Sequence, residues 1–199
     1  MTGPATEVEL IDRLRRGDQT AFTELVTAYQ PRMLRLARGF VPNQAVAEEV
    51  VQDTWLAVLR GLERFEGRSS LTTWLFAILV NRAKSTGVRE SRDRLLSADE
   101  VADPPGRFDA TGAWSSPPEP WSERAEDRLD AERLAVRARK HLDTLPTAQR
   151  QVLLLHDVEG LSREEVRSLL DITEGNLRVL LHRGRSRVRA ALESEVTAR

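Results

Sequence analysis

Cysteine is absent from this chain of 199 residues, which excludes disulfides, thiolate catalysis and cysteine zinc sites. A chain without thiols suits a reducing cytoplasm, the expected location. Long apolar runs are missing too. The longest, near Leu75 to Val80, falls far short of the roughly 20 residues that cross a bilayer, so no membrane insertion is expected. The opening MTGPATEVELIDRLRRGD lacks the cationic-then-apolar order of a signal peptide. Histidine is scarce: His141, His156 and His182 lie on different predicted helices without a paired spacing, so no metal and no cofactor is expected. No segment reads as a pair of strands.

Net charge is also nearly lacking, at −1, and carries no message until the charge is located. It is segregated. Asp93 to Asp130 holds ten acidic residues against four arginines, whereas Glu174 to Ala190 holds five arginines against one glutamate. Such asymmetry points to nucleic acid at one end of the chain.

The basic end reads as two short helices joined by a tight turn. Ser162 can cap the first helix and Glu165, three residues on, can complete a capping box. Val166, Leu169 and Leu170 give that helix one apolar face. Asp171 and Ile172 form the turn, and Thr173 is placed to cap a second helix whose buried side is Leu177, Leu180, Leu181 and Val188. A helix-turn-helix sets the start of its second helix against base edges, and cations further along lie over phosphates. The candidate contacts are therefore Thr173, Asn176, Arg178, His182, Arg183 and Arg185, with Arg178 early enough to read bases. The competing reading is a solvated arginine face on a helix that merely packs on a core.

Helical periodicity runs almost unbroken from Val8 to about Glu90. Leu10, Ile11 and Leu14 begin a helix that Gly17 and Asp18 end; Phe22, Leu25 and Val26 carry a second, punctuated by Pro31 before Met33, Leu34 and Leu36. After Pro42 and Asn43 a long helix takes Val46, Val50, Val51, Trp55, Val58, Leu59 and Leu62. A polar loop with Gly67, Ser69 and Ser70 precedes a helix packing Leu71, Trp74, Leu75, Ile78 and Leu79; Trp74 falls at core spacing there. Ser97 to Trp121 holds most of the prolines and reads as an extended, mobile linker. A further helix runs from Ser122 to Leu145, Pro146 stops it, Thr147 caps the next, and Leu153, Leu154, Leu155 and Val158 fill the core under the helix-turn-helix. The expected fold is all-α, two small helical domains joined by a flexible linker, with boundaries at 1–94, 95–124 and 125–199.

Four segments in this order, GDQTAFTELVTAYQPRMLRLARGF, AEEVVQDTWLAVLRGLERFEG, SSLTTWLFAILVNRAKS and LPTAQRQVLLLHDVEGLSREEV with ITEGNLRVLLHRGRSRVR, resemble the bacterial extracytoplasmic-function sigma factors of RNA polymerase. The resemblance covers nearly the whole chain apart from the linker. It implies a sigma region 2 domain that binds core polymerase and handles the minus-10 element, and a sigma region 4 domain that reads minus-35 DNA. Glu49, Gln52 and Asp53, within about one turn of each other, become contacts to the clamp helices of the polymerase's largest subunit; by spacing alone they are a solvated polar face. The β-subunit flap is the other implied polymerase contact. Asn81 becomes the wall of a base pocket, and Arg68 and Lys84 become strand-backbone contacts. Promoter DNA and an anti-sigma factor are the remaining implied partners, and no enzyme activity is expected. Departures from the family pattern are Asp171 at a turn position often held by glycine, Arg167 where a small residue is usual, and Val179 and Leu180 where polar residues are common. A stand-alone helix-turn-helix regulator is the alternative, separable by whether the chain changes transcription by core polymerase; a helical adaptor would show no salt-dependent DNA binding.

Overall fold

The computed structural model describes residues 4–92 and 140–197, and every regular element among them is helical. The expected linker, 95–124, and the start of the helix expected from Ser122 lie outside the described residues.

The first unit contains α1 (Pro4–Arg15), α2 (Gln19–Ala37), α3 (Gln44–Gly61), a 3-10 turn (Leu62–Arg64) and α4 (Leu71–Arg92). Gly17, at φ +76°, takes the left-handed backbone that ends α1, and Asp18 caps α2 by accepting the N–H groups of Thr20 and Ala21. The Ala21 bond, then the Arg13 guanidinium, hold the Asp18 carboxyl below its ordinary value against a smaller opposing effect of burial. Asn43 caps α3 in the same manner through the N–H of Val46 (2.9 Å).

Helices α2, α3 and α4 pack together around Leu25, Met33, Leu36, Val51, Val58 and Phe76, all almost fully buried. Each such side chain contributes roughly 1.5–3 kcal/mol by leaving water. The one buried hydroxyl in this core, on Thr54, donates to the carbonyl of Val50 (2.7 Å), so its own donor is satisfied. Aromatic edges lock the layers, with Phe22 against Trp55 and Tyr29 against Phe76. Pro31 does not punctuate this region: α2 runs through it as one helix. An internal proline costs about 3 kcal/mol, which burial of Leu25 on one side and Met33 and Leu36 on the other offsets.

The second unit begins in helical residues 140–142, which end in a turn three residues short of Leu145. Helix α5 (Thr147–Leu153) follows, then a π-turn (Leu154–Val158), α6 (Arg163–Leu170) and α7 (Glu174–Thr197). Thr147 is the first helical residue and not the cap; Pro146 occupies the cap position, offering only its carbonyl, which accepts from Arg150 (3.0 Å). In the π-turn the N–H of Glu159 reaches back five residues to Leu154 (2.9 Å). Val152, Leu155, Leu161, Val166, Leu177 and Leu181 form the core. Leu154, expected in that core, instead turns toward Gly39 of the first unit.

Candidate DNA and polymerase interfaces

The helix-turn-helix forms through the capping chemistry visible in its sequence. Ser162 Oγ accepts the N–H of Glu165 (3.3 Å) and Glu165 Oε2 accepts the N–H of Ser162 (2.8 Å), a reciprocal box at the start of α6. Asp171 ends α6 in the left-handed region, φ 56° and ψ 51°, a conformation its short polar side chain tolerates. Thr173 Oγ1 accepts the N–H of Asn176 (3.2 Å) at the start of α7. Arg167, at a position where a small residue is usual, lies outside the core and pairs with Glu174 across the turn (3.5 Å), as does Arg163 (3.7 Å). The close approach is made elsewhere: a Cβ on Gly184 would stand 2.8 Å from Leu153 Cδ1, so any larger residue where α7 crosses α5 would have to displace that side chain.

This anchoring turns Leu177 and Leu181 inward and leaves Asn176, Arg178 and Arg183 exposed on the first turns of α7. The other expected contacts are differently placed. Thr173 spends its hydroxyl oxygen on the cap, and His182 is half-buried. Arg185 lies in a two-pronged pair with Asp157 (2.8 and 2.6 Å); that hydrogen bonding, outweighing burial, raises the guanidinium above its ordinary value. Arg187 donates to Gln149 (2.9 Å). Val179, absent from the expected set, is 45% exposed on the same stretch as Arg178. The signal for it was its place one step out of phase with the Leu177–Leu181 stripe.

In the first unit, α4 and the loop before it form the second surface. Arg15 donates to the carbonyls of Leu62 and Phe65 and so ties α1 to the beginning of the loop. Phe65 is buried with its ring centroid 4.8 Å from that of Trp74, which packs against the core and not as an open stacking platform. The loop then runs exposed from Glu66 to Ser70, with Arg68 paired to Glu66 and Gly67 at φ +71°. The first turn of α4 is capped from a distance: Glu7 accepts the N–H of Leu71 (2.8 Å), and Ser70 Oγ that of Thr73 (3.1 Å). Further along, Asn81 is exposed, and Lys84, three residues on and on the same face, donates from Nζ to the carbonyl of Leu169 in the second unit (2.6 Å).

The third surface is the outer face of α3. Glu49, Gln52 and Asp53 are exposed together, and Asp53 is 3.6 Å from Arg82 of α4. Leu56 and Leu59 continue this face at 51% and 49% exposure. Leu59, one of the apolar residues that mark this helix in the sequence, faces outward, because Val51, Thr54, Trp55 and Val58 fill the inward positions. Two large apolar side chains beside carboxylates make a face suited to another protein more than to DNA. Among the described residues no cluster of histidine, aspartate and glutamate is arranged to hold a metal, and no helix is long and apolar enough to cross a membrane.

Residues 25–93 match the family of Sigma-70 region 2, and residues 135–188 match that of Sigma-70 region 4. The ECF RNA polymerase sigma-E factor of Escherichia coli is 32% identical over 188 residues, covering 94% of this chain and 95% of the relative. The chain belongs to the ECF sigma factors. The RNA polymerase sigma-H factor of Pseudomonas aeruginosa is 30% identical over 185 residues, covering 93% of each. Among solved structures, CnrH in complex with the cytosolic domain of CnrY shares the fold with a TM-score of 0.54 and 24% identity over 94% of this chain and 97% of that one. The sigma factor RpoE of Bartonella quintana, in complex with the anti-sigma factor NepR, gives 0.57 and 23% over 86% and 96%. As an ECF sigma factor the chain binds core RNA polymerase and directs promoter-specific transcription initiation, and the reading as a stand-alone regulator falls away.

Proposed function

We propose that the three surfaces divide the work of initiation. On this reading residues 1–94 bind core polymerase and handle the minus-10 element, 95–124 connect, and 125–199 read minus-35 DNA. Glu49, Gln52 and Asp53, joined by Leu56 and Leu59, dock on the clamp helices of the largest polymerase subunit, with the carboxylates meeting cations and the leucines leaving water. Asn176, Arg178 and Arg183 enter the major groove, where a forked guanidinium matches the two acceptors of guanine. Arg185 and Thr173 position α7, and His182 borders the groove. Asn81 accepts an unpaired base, and Arg68 and Lys84 hold the strand backbone. The second unit also meets the β-subunit flap. The chain performs no bond chemistry; binding free energy drives melting. Its place of work is the cytoplasm, and an anti-sigma factor is its regulatory partner, as NepR is for the Bartonella relative.

The observation that carries the division is the exposed start of α7, with Asn176, Arg178 and Arg183 on its outer side while Leu177 and Leu181 fix the helix behind them. The test is run-off transcription with purified core polymerase on a promoter whose two elements are varied separately. Mutating the minus-35 element should abolish the benefit of intact Arg178, and mutating the minus-10 element that of intact Asn81. Equal sensitivity of both variants to both elements would contradict the division.

A further inference from the structure

Among the described residues of the second unit, Val179 is the one large apolar side chain left exposed. Its place on α7 is set by the core. Leu177 and Leu181 are buried two residues to either side of it, and two residues turn a helix through about 200°, so Val179 stands opposite the face that holds α7 in the fold. The outer face is arranged around it, with Arg178 exposed on one flank and Asn176 and Arg183 exposed on the other. Nothing inside the chain accounts for a valine there. A β-branched residue forms helix poorly, and here burial does not offset that cost.

One turn earlier on the same ridge is Gly175. A Cβ built on it would meet nothing within 4 Å, and its backbone is helical with no left-handed twist, so neither packing nor conformation within the chain asks for glycine. Glycine nevertheless weakens a helix relative to alanine. Gly184 on the same helix is the contrast, since a Cβ there would strike Leu153. A bare backbone at Gly175 and an apolar knob at Val179, set between cations, are explained by something that approaches from outside. The major groove of DNA is such a partner: phosphates line its rims, and on its floor the C5 methyl of thymine is the apolar group among hydrogen-bonding edges. A single valine ringed by polar and cationic side chains is too small a patch to dock another protein. An aliphatic side chain neither donates nor accepts a hydrogen bond, so the methyl is what it can distinguish.

We propose that Val179 reads a thymine of the minus-35 element through its methyl group, and that Gly175 lets the backbone of α7 come close enough for the contact. The proposal rests on α7 being the minus-35 reader and adds a base that it selects. Because Arg178 and Val179 leave adjacent helix positions, the thymine lies within about two base pairs of the base that Arg178 reads. Polar residues are common in the family at the place of Val179, so this preference is a property of the present chain.

Removing the methyl alone tests the contact. Holoenzyme assembled from core polymerase and the full-length chain is used to select a minus-35 element from a promoter library randomised there. Each thymine of the selected element is then replaced singly by deoxyuridine, which pairs as thymine does and lacks only the C5 methyl. One replacement should weaken promoter binding by wild-type holoenzyme about fourfold, the effect of burying one methyl-sized group. Holoenzyme carrying Val179→Ser should bind thymine and deoxyuridine alike at that position, while the free variant keeps the wild-type thermal midpoint. Gly175→Ala should raise the midpoint of the free chain yet weaken promoter binding, opposite signs that a purely structural glycine would not give. A selected element without thymine, deoxyuridine bound as tightly as thymine at every position, or a methyl preference that survives Val179→Ser overturns the proposal. Promoter binding undiminished by Gly175→Ala overturns the close approach. Holoenzyme that selects no upstream sequence, or the same one after Arg178→Ala, would instead overturn the minus-35 reading of α7 and the Val179 contact with it.

Discussion

Helices α4 and α7 are both proposed to meet DNA, yet they are supported in opposite ways. Leu71, Leu75, Phe76, Leu79, Val80 and Ala83 drive α4 through the middle of a deep core. By contrast, α7 buries Leu177, Leu181 and the Gly184 crossing and then extends away with its flanks half-exposed. The difference fits the tasks. A helix that takes an unpaired base needs a rigid wall, because a pocket loses selectivity if it yields; a helix that enters a groove needs a bare leading edge. The contrast also extends to how the cations are held. On α7, Arg185 is fixed by Asp157 and Arg187 by Gln149, so register comes from the arginines past the reading turn. On α4 the cation Lys84 reaches into the other unit.

This comparison can be tested by removing what supports each helix. The largest effect is expected from Phe76→Ala, at about 3–5 kcal/mol, read as a lower urea midpoint. A midpoint unchanged by Phe76→Ala would remove the claim that α4 is the more deeply supported helix. Next comes Arg178→Ala, which should weaken binding to cognate minus-35 duplex by about 1–3 kcal/mol while relaxing preference at one base position. A uniform loss across all sequences would make Arg178 a phosphate contact instead. Ser162→Ala should cost about 1 kcal/mol, measured by thermal melting, through loss of the capping box.

The smallest effect concerns pH. Burial pushes the Glu165 carboxyl up, but hydrogen bonds from Thr73 and Ser162 outweigh it and leave the group below its ordinary value. A carboxyl with a lowered folded-state value contributes stability above its unfolded value and loses it as pH falls through the folded one. Acidification below the ordinary carboxylate range should therefore weaken the α6 cap and the Thr73–Glu165 hydrogen bond together. Thr73→Ala should move that weakening to higher pH; an identical acid profile for wild type and variant would show that Thr73 does not stabilise the Glu165 carboxylate.

Much of this was legible in the residues because the signals were local. Ser162 with Glu165, Thr173 ahead of α7 and the Leu177–Leu181 pair are short-range chemistry, and the helix-turn-helix follows from them. Pro31 misled because its local penalty competes with burial contributed by α3 and α4, which no window around residue 31 contains. Leu59 is apolar at a position that helical phase sends outward, and Leu56 marks the same face. The engagement of Lys84 with Leu169 joins residues 85 apart, and the Glu159 pairing with Arg32 spans 127. Neither distance leaves a trace in periodicity. The family resemblance supplied roles for α3 and α4 that spacing alone leaves as polar faces.

The most direct test of the divided surfaces is a paired equilibrium titration of labelled wild type, Asp53→Arg and Arg178→Ala against core polymerase and against minus-35 duplex. The account predicts that Asp53→Arg weakens polymerase binding and spares the duplex, while Arg178→Ala does the reverse. Folded variants that each lose both affinities, or neither, would contradict it.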